Sequence, residues 1–115
     1  MAKHVKKDVN YSVGSGVVNL RLVIGEGQLG TATGLLDSNL LFIGSLIDMS
    51  IGHSDIIKGK KLYIDSSIKD VRPDTDETIV TIELTDDANS QTITSEGKAE
   101  QNGGTVIHDI EISLL

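Results

Sequence analysis

Across residues 78–84 and again across 106–114, apolar and polar residues alternate one for one. In the first run Val80, Ile82 and Leu84 project one way, while Thr81 and Glu83 project the other. In the second, Val106, Ile110, Ile112 and Leu114 share a face with His108, opposite Asp109, Glu111 and Ser113. Successive side chains leave a strand on opposite faces, so a period of two marks a half-buried strand. No other feature of the chain constrains its fold class as much.

The same pattern recurs along the sequence. Val5, Lys7, Val9, Tyr11 and Val13 form a first alternating set closed by Gly14-Ser15-Gly16, and Val18, Leu20, Leu22 and Ile24 form a second that ends at Gly25-Glu26-Gly27. Residues 28–36 are interrupted by Gly30 and Gly34, which in a strand mark bulges or close packing. Asp37-Ser38-Asn39 reads as a turn. Residues 40–51 read as one strand, with Leu41, Ile43, Ile47, Met49 and Ile51 in alternation and Ser45 the lapse. A short helix within 37–51, capped by Asp37 or Ser38 and stopped by Gly52, is the alternative. Leu62, Ile64 and Ile68 lie in phase, and the only proline, Pro73, sits in a polar turn at 72–77. A turn at 86–90 follows, and Asn102-Gly103-Gly104 has the composition of a tight hairpin joining the last two strands. Together these signals predict an all-β chain: one antiparallel β-sandwich domain over 1–115, of about seven or eight strands, with a small barrel as the alternative.

Composition narrows the function. A chain of 115 residues buries a real core without staples, and having no cysteine it has no disulfide frame and no thiol chemistry. No apolar stretch of signal-peptide length follows the basic start, and the greasy run 40–43 is far too short to span a bilayer. A cytoplasmic protein without membrane insertion is the expectation. Net charge is −7, although Lys3, Lys6 and Lys7 fall in the first seven residues. So acidic a surface repels phosphate backbones, and Tyr11, Phe42 and Tyr63 are too few for a base-stacking platform. Nucleic acid is therefore not an expected partner.

Motifs of chemistry are sparse. Residues 25–30 match G-x-G-x-x-G, but Thr31-Ala32-Thr33-Gly34 is a poor helix opening, and a dinucleotide fingerprint needs a helix N-terminus there. It reads as a turn. The histidines His4, His53 and His108 have no metal-ligand spacing. His53 lies in Gly52-His53-Ser54-Asp55, a serine, histidine and carboxylate on one loop, whereas a triad is assembled from separate segments. His108 falls in the inward phase, which predicts either a core-margin histidine bonded to its neighbours or a general base in an internal cavity.

Strictly alternating strands would gather Asp37, Asn39, Asp74, Asp76, Glu77 and Asn102 at one end of the sandwich. Such oxygen-rich loops suit calcium, though turns select the same residues. Lys58, Lys60 and Lys61 would face Asp86 and Asp87 at the other end. Three function classes follow. Apolar residues on outward faces (Val17, Val23, Ile79, Ile107, Leu115) favour a non-enzymatic interaction or assembly module, self-associating as a homodimer and without a cofactor. A ligand- or carbohydrate-binding module with a loop-end site, calcium-assisted in one variant, is the alternative; it would use Tyr63, the one ring expected to face solvent. An enzyme using His108 is the third.

Overall fold

A computed structural model describes residues 3–25, 27–72, 74–101 and 103–115. Among these the chain forms nine strands and one short helix: β1 (Lys3–Tyr11), β2 (Val17–Ile24), β3 (Leu29–Leu36), β4 (Asn39–Gly44), β5 (Leu46–His53), α1 (Ser54–Ile57), β6 (Lys61–Lys69), β7 (Glu77–Thr85), β8 (Ser90–Lys98) and β9 (Thr105–Leu114). They build two packed sheets, one in the order β1-β9-β6-β3-β4 and the other β5-β2-β7-β8. Neither sheet closes on itself, so this is a sandwich and not a barrel. Among the described residues no helix is long and apolar enough to cross a membrane.

The alternation sets which residues meet between the sheets. Leu62, Ile64 and Ile68 of β6, Val18, Leu20 and Leu22 of β2, Val80, Ile82 and Leu84 of β7, and Val106, Ile112 and Leu114 of β9 are all fully buried. Each such aliphatic side chain contributes about 1.5–3 kcal/mol by leaving water. Most of them join one continuous cluster with Tyr11, Phe42 and Ile57.

Three details depart from the pattern read in the sequence. Residues 40–51 are two strands, not one: the chain leaves β4 at Gly44, passes Ser45 and enters β5 in the opposite sheet. The helix follows this stretch at α1 instead of lying inside it, and His53 caps it by accepting the Asp55 amide on Nδ1 at 3.2 Å. Residues 99–104 do not close a hairpin, because β8 and β9 belong to different sheets. Asp70 holds that loop, donating its amide to Gly104 and accepting from the Gly103 amide. β9 then pairs antiparallel with β6 and parallel with β1, the one parallel ladder among the described residues.

The additional crossing at Ser45 reverses the assignment of every later loop. The described residues that follow β2, β6 and β8 gather at one end, joined by Gln28–Asp70, Asp70–Gly104 and Asp76–Ala99 hydrogen bonds. Loops 12–16, 37–38, 54–60 and 86–89 gather at the other, joined by Ser15–Asp87, Gly16–Ser54 and Asp37–Lys61 contacts.

Candidate functional site

His108 stands on β9 between Val106 and Ile110 and is fully buried. Its Nε2 lies 2.8 Å from Thr78 Oγ1 on β7, and its Nδ1 lies 2.8 Å from Ser95 Oγ on β8. Thr78 Oγ1 also donates to the Gly97 carbonyl at 3.3 Å. A hydroxyl has one proton, so with it directed at Gly97 the threonine accepts from Nε2–H, and Nδ1 accepts from Ser95. The arrangement satisfies a neutral ring. Burial lowers its pKa, against a smaller opposing pull from Asp109. Gly97 sits over the ring, where an added Cβ would come within 3.3 Å of Cε1. The residue is a polar tie between the sheets, sealed from solvent.

The outer face of the five-stranded sheet carries a second group, one that periodicity alone does not reveal. Strand register sets Lys6 beside Asp109, Asp109 beside Asp65, Asp65 beside Thr33 and Thr33 beside Ile43. His4 Nδ1 lies 3.1 Å from Asp109 Oδ2. Burial raises the pKa of Asp65, and a hydrogen bond shared with Asp109 and the repulsion between the two carboxyls raise it further. Asp109 resists its own partial burial and is held low by His4 and Asp65. Of the two carboxyls, Asp65 is the one shifted upward and Asp109 the one shifted downward. A groove of about 370 Å³ runs beside them, lined by Lys6, Leu35, Tyr63 and Glu111. Tyr63 is 36% exposed, the outward ring that the alternation implies. Each member of the carboxyl pair looks, in the sequence, like an ordinary outward polar position; only register sets them opposite one another.

The third group lies at the end where the described residues after β2, β6 and β8 meet. Gln28 is buried, with Nε2 donating to Asp70 Oδ1 and to the Glu77 carbonyl at 3.0 Å each. Its Oε1 accepts from the Val71 amide at 2.8 Å and the Arg72 amide at 3.2 Å. Arg72 pairs with the exposed Asp74 and holds its carboxyl below the usual carboxylate range. A hydrogen bond shared with Asp70 raises the pKa of Asp76.

The oxygen-rich cluster expected at one end is divided. Asp74, Asp76 and Glu77 belong to this rim. Asp37 and Asn39 sit at the opposite end, at or beside the 37–38 turn, where Asp37 adopts φ 52° and its Oδ1 accepts the Lys61 amide. Asn102 lies outside the described residues, as do Glu26 of the glycine motif and Pro73 of the polar turn. Gly30 of that motif lies inside β3, with no helix following. Among the described residues no three His, Asp or Glu side chains converge as a metal-ligand set.

At the opposite end Asp86 accepts four hydrogen bonds, from the Tyr11 hydroxyl at 2.7 Å and the Gly14, Ala88 and Asn89 amides at 2.8 Å each. Partial burial works to raise its pKa, but the four donors prevail and hold it far below the usual range. Burial, then the contact with Asp86, pushes Tyr11 above an ordinary tyrosine. Lys61, expected to face this loop, instead pairs with Glu111 at 3.8 Å. Compared with known proteins, the chain matches no family model, no curated protein and no solved structure.

Proposed function

We propose that the protein is a non-enzymatic interaction module that self-associates through the side of the sandwich formed by β4 and β5. The observation that carries this reading is the exposure of Leu40, Ile43 and Leu46, at 57%, 65% and 68%. β4 and β5 are edge strands of their sheets, with one row of backbone groups unpaired. Leu40 also lies beside Leu35, and Leu35 beside Tyr63, so the apolar strip continues inward across the outer face.

A second copy of this chain is the occupant that fits. The sequence of β4, NLLFIG, has no charged residue, although the whole chain carries −7. Two copies meeting at β4 bring little like charge together, whereas two copies meeting at β1 would set lysines against lysines. The opposite edge strand, β1, carries Lys3, Lys6 and Lys7, the residues that keep an edge from pairing. A two-fold contact of β4 with its counterpart covers the same patch on both copies.

Sedimentation velocity across micromolar concentrations tests this. The wild type is expected to be a dimer, and Ile43→Lys and Leu46→Lys are expected to be monomers of unchanged melting temperature, since both side chains project into solvent. A wild type that stays monomeric throughout removes the reading.

A second reading rests on Tyr63 beside the Asp65–Asp109 pair: a polyhydroxylated ligand stacking on the ring and hydrogen-bonding the carboxyls. In saturation-transfer NMR against an oligosaccharide mixture, sugar protons are expected to receive magnetisation from the wild type and not from Tyr63→Ala. No transfer to any sugar excludes it.

A further inference from the structure

β8 is seated on the core by a single large apolar side chain. It ends its sheet, with β7 as its ladder neighbour, and it buries Ile93. From there the strand reads Thr94, Ser95, Glu96, Gly97 and Lys98, so this half brings no apolar side chain inward. Polar ties hold it to the opposite sheet instead: Ser95 Oγ donates to His108 Nδ1 at 2.8 Å, and the Thr94 carbonyl accepts from Lys7 Nζ at 2.7 Å. Thr78 and Gly97, which lie against the His108 ring, also line a depression of about 280 Å³ on the outer side of the β7–β8 ladder. The wall between the ring and the outside is therefore one strand thick.

Among the described residues no charged group faces the ring from the strands around it. β1 presents Val5, β6 presents Ser66, and β7 and β8 present Thr78, Ser95 and Gly97. Lys7, on the same side of β1 as Val5, is turned to the Thr94 carbonyl. Asp109 lies on the other face of β9 with His4, and Glu77, Glu96 and Lys98 are exposed on the outer face of β7 and β8. In the neutral ring Nδ1 is an acceptor. A proton there ends that acceptance and sets a full charge among hydroxyl oxygens with no carboxylate. Water relieves the charge only where a covering strand gives way, and the 94–98 half of β8 is the cover with no apolar side chain to lose.

We infer that His108 is an acid-operated latch: protonation of Nδ1 frees residues 94–98 of β8 from β9 while the remainder of the sandwich stays folded. Solvent supplies the proton, and raising the pH removes it and closes the strand again. The latch lies on the β1–β8 side, away from β4 and β5, so it stands or falls independently of self-association.

Backbone amide hydrogen exchange tests this, followed by NMR between pH 7.5 and 5 and corrected for the intrinsic rate. Burial lowers the closed-state pKa below 6.5, so the open state binds the extra proton and opening grows as pH falls through 6.5. The ladder amides of 94–98 are expected to lose protection by up to about tenfold per pH unit. Their exchange is expected to be indifferent to low urea, because opening half a strand exposes little surface. Amides of β2 and β6 exchange through global unfolding and quicken with urea. In His108→Gln the loss with pH at 94–98 is expected to vanish. Amides of 94–98 that quicken with urea in step with β2 and β6 would overturn the proposal, because the strand then opens only when the whole chain unfolds. Protection at 94–98 that ignores pH would overturn it as well, as would an undiminished loss in His108→Gln. Should that variant fail to fold, the pH and urea comparison in the wild type carries the test.

Discussion

At the residue scale the informative side chains are polar ones held in apolar surroundings. His108 keeps its neutral form because both ring nitrogens are matched to hydroxyls and burial disfavours charge. Its folded pKa lies below the ordinary value of 6.5, so between the two the unfolded chain binds more protons. The stability it contributes is therefore complete above pH 6.5 and is lost as pH falls toward the folded value. Chemical denaturation between pH 7.5 and 5 should show ΔG falling by up to about 1.4 kcal/mol per pH unit, a slope reduced in His108→Gln. An unchanged slope would assign it to other groups. Asp86 works in the opposite sense: its four donors favour the charged carboxylate. Asp86→Ala frees the Tyr11 hydroxyl and three amides, and should cost about 2 kcal/mol in urea unfolding, against about 1 kcal/mol for Tyr11→Phe.

Elements show why some of the architecture is legible in the sequence and some is not. β6, β7 and β9 are plain because each buries one face and shows water the other, so hydrophobicity alternates almost without interruption. Residues 40–51 are not, because Ser45 interrupts the alternation by a single residue, and a sheet change looks like a lapse in one strand. The glycines of β3 weaken it as a sequence pattern, yet they accommodate its neighbours. A Cβ on Gly34 would stand 2.2 Å from the Phe42 ring of β4, so the missing side chain is what lets the aromatic ring lie against the strand. Gly34→Val should therefore destabilise the protein by about 1–3 kcal/mol, and Phe42→Leu should recover part of that loss when combined with it. Additive melting shifts in the double variant would show that the two residues are not coupled. The excess of outward apolar residues is legible in part by position: Val17 and Leu115 are exposed as the alternation implies, Val23, Ile79 and Ile107 are half covered, and Leu40, Ile43 and Leu46 are open as well. Periodicity tells which face a residue takes; it does not tell which strand ends a sheet.

For the molecule as a whole, strand order decides what the surface does. The Ser45 crossing places Asp37 far from Asp74 and Asp76, and it brings β4 and β5 together on one side, away from β1 and β8. Charge is distributed across that same division. Lysines line β1, where Lys7 Nζ also reaches across to the Thr94 carbonyl of β8 at 2.7 Å, tying the two sheets at that side. The β4 strand is uncharged, and the body of the molecule is acidic. If self-association runs through β4, the contact itself is apolar and the opposing force is long-range repulsion between two chains of −7. Salt screens the repulsion and leaves the apolar contact intact, with the screening length falling from about 30 Å at 0.01 M to about 8 Å at 0.15 M. The dimer should therefore tighten as sodium chloride rises over that range. An interface built instead on β1 lysines against acidic loops would loosen over the same range. Sedimentation at a fixed protein concentration in low and physiological salt separates the two outcomes, and a dimer that dissociates as salt is added would rule out β4 as its seam.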